Sequence, residues 1–169
     1  MKSSKNSLSY FERQWFRQWW LILLLAGINL LLITGCIKQL GFGISWGNKP
    51  MNDVSLIIIT IVLLFFTLWF IFLRLDVEID KKGISWQFFL LEFKPHFLAW
   101  DEIEYFEVAK YNPMSFGGWG IKSNWKSKVY STSGNYGLKL RLKNGRSIYI
   151  GTQHPEELND VLNKIHVQR

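Results

Sequence analysis

A chain of 169 residues is of ordinary size for one domain, but 49% hydrophobic and 17% aromatic content, with nine Trp and thirteen Phe, exceeds what a soluble core of that size uses. At this length it is too short for a many-span pump or a large two-domain enzyme, and its single Cys excludes a disulfide framework or a multi-cysteine zinc or iron–sulfur site within the chain. The net charge of +7 is uneven: residues 1–74 hold seven Lys/Arg against Glu12 and Asp53, and residues 75–169 hold thirteen bases against eleven acids, so the basic excess lies on the more apolar half.

Residues 1–18 read as a cytoplasmic N-terminal tail. Trp19 to Ile37 and Val54 to Leu73 follow, each without an acidic, basic or His side chain. About twenty helical residues rise roughly 30 Å, the thickness of the hydrocarbon layer, and a helix satisfies its own backbone groups there. The segments 19–37 and 54–73 are therefore expected as two transmembrane helices, forming an antiparallel hairpin through the short Gly- and Pro-bearing external loop 38–53. Lys2, Lys5, Arg13 and Arg17 precede the first span, and Arg74, Lys81 and Lys82 follow the second, whereas the loop holds only Lys38 and Lys49. This asymmetry predicts a multi-pass protein of the cytoplasmic membrane with both termini inside. Trp15, Phe16, Trp19, Trp20, Trp69, Phe70 and Phe72 would mark the inner interface, and Trp46 the outer one. Asn29, near the middle of the first span, is expected to turn its amide toward Thr60 and Thr67 of the second as a helix-pairing contact. A remote alternative starts from Ile33-Thr34-Gly35-Cys36, which resembles a lipoprotein cleavage box and would make Cys36 the lipidated start of a processed chain.

From Leu75 the pattern alternates. Leu75, Val77 and Ile79 are interleaved with Asp76, Glu78 and Asp80, Lys81-Lys82-Gly83 turns the chain, and Ile84–Phe88 begins a second strand. Phe89, Leu91 and Phe93 continue it on the opposite face, which predicts an apolar contact surface there, with a local fold-back as the alternative. Further strands are expected near 101–110, 118–123 and 127–132. Leu138, Leu140 and Leu142 alternate with Lys139, Arg141 and Lys143, and Asn144-Gly145 leads into Arg146–Ile150, the mark of a tight type I′ hairpin. Pro155 opens a helix with Glu156 and Glu157 in its first turn and Leu158, Val161, Leu162 and Ile165 on one face, which must be buried.

Two spans, about seven antiparallel strands in a bent sheet or partly open barrel, and a capping C-terminal helix give a membrane α-helical hairpin joined to a mainly-β, α+β domain over 75–169. With Phe116-Gly-Gly-Trp-Gly-Ile121 and the run Leu142–Thr152 leading to Pro155-Glu-Glu-Leu158, this layout resembles small bacterial membrane proteins with a pleckstrin-homology-like (PH-like) domain. The resemblance implies a binding or assembly scaffold. Only Lys81 and Lys82 stand where phosphoinositide-binding PH domains carry several bases, so it does not extend to that activity.

Charge within the domain is segregated: residues 75–109 hold eight acids and three bases, and residues 110–146 hold eight bases and no acid. Lys122, Lys126, Lys128, Lys139, Arg141, Lys143 and Arg146, with Trp119 and Trp125 among them, form a candidate surface for anionic lipid or for a partner. The plainer expectation is a solvated strand face paired with acids such as Asp76 and Glu78. The sequence thus points to a membrane-held protein-binding or oligomerisation scaffold, with a sensor of anionic headgroups as the alternative. Its expected partners are the bilayer and other membrane proteins or further copies of itself. No nucleic-acid partner, metal or cofactor is expected. No enzyme is expected either, because His96, His154 and His166 are dispersed without a nucleophile pattern, and neither His154 with Glu157 and Asp160 nor the acids at 101, 102 and 104 make a site by spacing alone.

Overall fold

The computed structural model describes residues 9–16 and 18–167, the side chain of His166 excepted. Lys2, Lys5 and Arg17 of the basic flank therefore lie outside the described residues. The chain forms two compact units, one of residues 18–72 and one combining the segment before it with residues 73–169.

The first unit holds two helices long and apolar enough to cross a membrane. We denote as α1 Trp19–Cys36, which runs on through a π-helical turn, Ile37–Gly41, and as α2 Asp53–Phe72. Asn52 caps α2 by accepting the Ser55 N–H at 2.7 Å, and Asp53 sits in the first turn, where the helix dipole favours an acid. Gln39 ties the loop to the start of α2 by donating to Met51 O and Asp53 Oδ1, each at 2.7 Å. Gly35 lies under the Trp46 indole so closely that a Cβ there would stand 2.7 Å from Trp46 Cε3. Most Leu, Ile and Phe side chains of both helices are left exposed, as in Leu30 at 66% and Phe65 at 72%, so neither is the covered helix of a soluble core.

The second unit contains two sheets and a terminal helix. Strand β1 is Tyr10–Trp15, and after the helices come β2 (Arg74–Ile79), β3 (Gly83–Phe89) and β4 (His96–Ala99), giving a four-stranded antiparallel sheet in the order β1-β2-β3-β4. The second sheet has the order β5-β8-β9-β7-β6, from β5 (Ile103–Lys110), β6 (Gly120–Ser123), β7 (Ser127–Ser131), β8 (Tyr136–Leu142) and β9 (Ser147–Thr152). Helix α3, Pro155–Val167, buries Leu158, Leu162 and Ile165 as its apolar stripe requires. Leu75, Val77, Ile79, Ile84, Trp86 and Phe88 of the first sheet and Val129, Tyr130, Leu138, Leu140 and Ile150 of the second make the core. The two sets meet where the Trp86 and Tyr130 rings lie edge to face, 5.6 Å between centroids.

The expected two apolar helices, mainly antiparallel strands and closing helix are all present, with four differences. Nine strands, not about seven, occur among the described residues: Tyr10–Trp15 is a strand and not part of a tail, and His96–Ala99 is a further short strand. The strands are not all antiparallel, because β7 and β9 run parallel. The β8–β9 connection is a tight hairpin, but Gly145 alone has positive φ, so it is a type I turn followed by a left-handed glycine rather than type I′. Finally β3 stops at Phe89: Leu90 takes φ +72°, and the Leu91 and Glu92 N–H groups both return to Phe88 O. Phe89, Leu91 and Phe93 thus lie on a strand end and a turn, the local fold-back expected as the alternative, and not on one strand face.

Candidate functional site

The basic segment divides. Lys139 on β8 reaches Glu107 on the neighbouring β5 at 2.8 Å, and Arg141 stands 3.9 Å from Glu104. The Lys139 ammonium and the Tyr105 hydroxyl, both hydrogen-bonded to Glu107, hold its carboxyl below the ordinary range. These two cations are a paired strand face, as the plainer expectation had it, but the acids come from β5. Asp76 instead takes Arg13 at 2.8 Å and Arg74 at 3.2 Å. Trp119 is half-buried and spends its indole N–H on Gly134 O at 2.9 Å, and Lys143 is exposed on the β8–β9 turn with its backbone N–H on Glu102 O.

Lys126, Lys128 and Arg146 behave differently. The parallel β7–β9 register sets Ser127 beside Ser147, and the Ser147 N–H donates to Lys126 O at 2.9 Å, which locks the β6–β7 tip to the β8–β9 turn. Between the two tips lies an open cleft of about 320 Å³ lined by Lys126, Lys128, Arg146, Trp125, Asn144 and neighbouring serines, with no carboxylate among its lining residues. The Trp125 indole is fully exposed at the rim. A second cleft of about 210 Å³ shares Ser123, Asn124 and Ser127 and adds Lys122 and Phe116. Cations that converge without an acid keep their potential available to a ligand, unlike Lys139 and Arg141.

Backbone amides at the rim are already used. Asn124 Oδ1 accepts from Lys126 N at 3.0 Å and Ser127 N at 2.6 Å, and Asn144 Oδ1 accepts from Arg146 N at 3.0 Å. No ring of free N–H groups of the kind that cradles a phosphate is left on these turns. The cleft offers long-reaching side-chain cations, an Arg fork suited to carboxylates and an indole face.

The predicted intramembrane contacts form in part. Asn29 Nδ2 donates to Thr67 Oγ1 and to Leu25 O, both at 2.8 Å. Thr60 pairs with Cys36 instead, Sγ to Oγ1 3.3 Å.

One buried polar cluster has no local signature in the sequence. Glu12 and Gln14, on the inward face of β1, are buried. Glu12 Oε2 accepts from Tyr10 OH at 2.6 Å and from Thr152 Oγ1 at 2.7 Å, and Oε1 accepts the Gln153 N–H at 2.7 Å. Gln14 donates to Gly151 O and receives Thr132 Oγ1 at 3.3 Å. Burial and the bond to Glu12 push the Tyr10 hydroxyl far above its ordinary range. The cluster closes the first sheet onto the end of β9, a structural task. Among the described residues, no group of three or more His, Cys, Asp or Glu side chains is arranged to hold a metal ion.

No protein-family model matches this sequence, and comparison with curated proteins finds no significant similarity.

Proposed function

We propose that this chain is a membrane-anchored binding scaffold with a PH-like domain, and that the cleft between the β6–β7 and β8–β9 tips takes an acidic segment of a partner protein. The observation that carries it is the acid-free convergence of Lys126, Lys128 and Arg146 beside an exposed Trp125. The spent amides favour carboxylates, met by side-chain charge, over a tightly held phosphate. Two packed sheets closed by a C-terminal helix support the PH-like reading.

The membrane reading draws on the exposed apolar helices and on β1. Trp15 and Arg74 are cross-strand partners, so the residues entering α1 and leaving α2 belong to adjacent strands of one sheet. If both helices cross, the two ends share a side, and the basic flanks make that side the cytoplasm. Cleavage at Cys36 would strip β1 and its buried Glu12 and Gln14 from the sheet, so the lipoprotein alternative is disfavoured.

A specific observation also bears on the headgroup alternative. Lys143, beside the cleft, is bonded to Glu102, and Trp100 of the same short 3₁₀ turn donates to Asp80 O at 2.8 Å in the β2–β3 turn. That turn lies at the opposite end of the first sheet from Trp15 and Arg74, where the chain enters and leaves the helices. A site next to that turn favours a soluble acidic segment.

The test is titration of a Glu/Asp-rich peptide against the full chain in nanodiscs of neutral lipid. Binding that weakens with salt and is lost in Lys126→Gln/Lys128→Gln/Arg146→Gln supports the reading. Absence of peptide binding, together with anionic-lipid enrichment lost in the same variant, replaces it with the headgroup sensor.

A further inference from the structure

We propose that the turn between β3 and β4, Phe89 to Pro95, dips its apolar tip into the interfacial layer of the same bilayer. The inference rests on the reading that α1 and α2 cross a membrane. Trp15, Arg74 and Phe89 are registered partners in one row at the end of the first sheet. Beyond Trp15 the chain reaches α1 at Trp19, and Arg74 follows α2 with Leu73 alone between them. The third strand of the row continues into the turn, so three chain segments leave the sheet at the same end.

The turn is built to present apolar groups. Phe89, Leu90 and Leu91 are substantially exposed and Phe93 is fully exposed. Its one acid is drawn back into the sheet: Glu92 accepts the Phe88 N–H at 2.9 Å, lies 2.7 Å from His96 Nε2, and its carbonyl receives Gln87 Nε2 at 2.9 Å. The tip is left with Lys94 as its only charge, a side chain that reaches headgroups while its stem lies along lipid. Arg74 sits with its guanidinium 4.2 Å from the Phe89 ring centroid and 5.4 Å from that of Trp15, giving an aromatic and cationic row of the kind found at membrane interfaces. Leu90 holds φ +72°, a conformation that favours glycine, while its exposed side chain gains little from the protein. An apolar side chain kept where the backbone prefers none has a use in a medium that rewards it.

The experiment places single nitroxide labels in the full chain, in bilayer nanodiscs and in a Cys36→Ser background, at Leu91→Cys, Phe93→Cys, Phe65→Cys in α2 and Lys164→Cys on the exposed face of α3. Collision with oxygen relative to a water-soluble nickel complex should be several-fold greater at 91 and 93 than at 164. A label at 93 as open to nickel as that at 164, while the label at 65 is lipid-exposed, overturns this inference and leaves the membrane reading standing. Nickel access at both 65 and 93 overturns both.

Discussion

Glu12 accepts a hydrogen bond from Thr152 Oγ1 at 2.7 Å across 140 residues of sequence, so β1 is fastened to β9. Three donors converge on this buried carboxylate. Truncating it leaves the Gln153 N–H and one of the two hydroxyls without an acceptor, since Tyr10 OH and Thr152 Oγ1, 3.3 Å apart, can pair with each other, and each such group costs about 1–3 kcal/mol. Glu12→Ala is expected to lower the stability of the β domain by roughly 2–4 kcal/mol, read as a fall in Tm of the full chain in detergent, whereas Glu78→Ala, at an exposed site of β2, should change it by less than about 0.5 kcal/mol.

The same fastening makes β1 part of the folding unit. A fragment of residues 75–169 lacks β1 and opens the polar cluster to water, and it is expected to unfold in less denaturant than a chain in which residues 9–16 are joined by a short Gly/Ser linker to 73–169. The register of Trp15 with Arg74 makes that linker a hairpin turn. Chemical denaturation of the two soluble chains, followed by circular dichroism, checks this.

Between the helices, Asn29 donates a hydrogen bond to Thr67, while Thr60 pairs with Cys36. A double-mutant cycle of Asn29→Leu with Thr67→Val should give a coupling of about 0.6–1.7 kcal/mol, and the cycle with Thr60→Val a coupling near zero. Unfolding equilibria of the full chain in mixed micelles give both values.

The Lys139–Glu107 pair predicts a pH dependence of definite sign. Glu107 titrates lower in the folded chain than its ordinary 4.5, so its contribution is fully present above about that pH and is lost as pH falls through the lowered folded value. Glu107→Gln should flatten this acid-side slope in Tm against pH. Lys139→Gln should leave acidic-peptide binding nearly unchanged, in contrast to the cleft variant.

Where the sequence could be read, the signal was local. Leu75-Asp-Val-Glu-Ile79 and Leu138-Lys-Leu-Arg-Leu142 alternate in the period of a strand with one buried face, and the α3 stripe has the period of a helix. Strand β1 defeats that test because its buried face carries Tyr10, Glu12 and Gln14 while Phe11 lies exposed at 56%. Its ladder to β2 and its side-chain hydrogen bonds to Gly151, Thr152 and Gln153 hold it, and all of these partners are far away in sequence. The continuous apolar run Phe88–Leu91 concealed a reversal at Leu90, since a left-handed leucine has no local signature. The basic segment was legible as charge. Its division was not, because it depends on β5 lying beside β8 and on the parallel meeting of β7 with β9.

The order of synthesis gives β1 a further consequence. Its hydrogen-bonding neighbour β2 emerges only after both apolar helices, and β9 later still, so on the membrane reading the opening strand waits some seconds for its mates at ordinary translation rates of about 5–20 residues per second. Insertion of only one of the two helices would strand that segment across the lipid from its mates, and a sheet short of an edge exposes its polar seam to proteases. On that reading, completion of the domain requires both helices to insert.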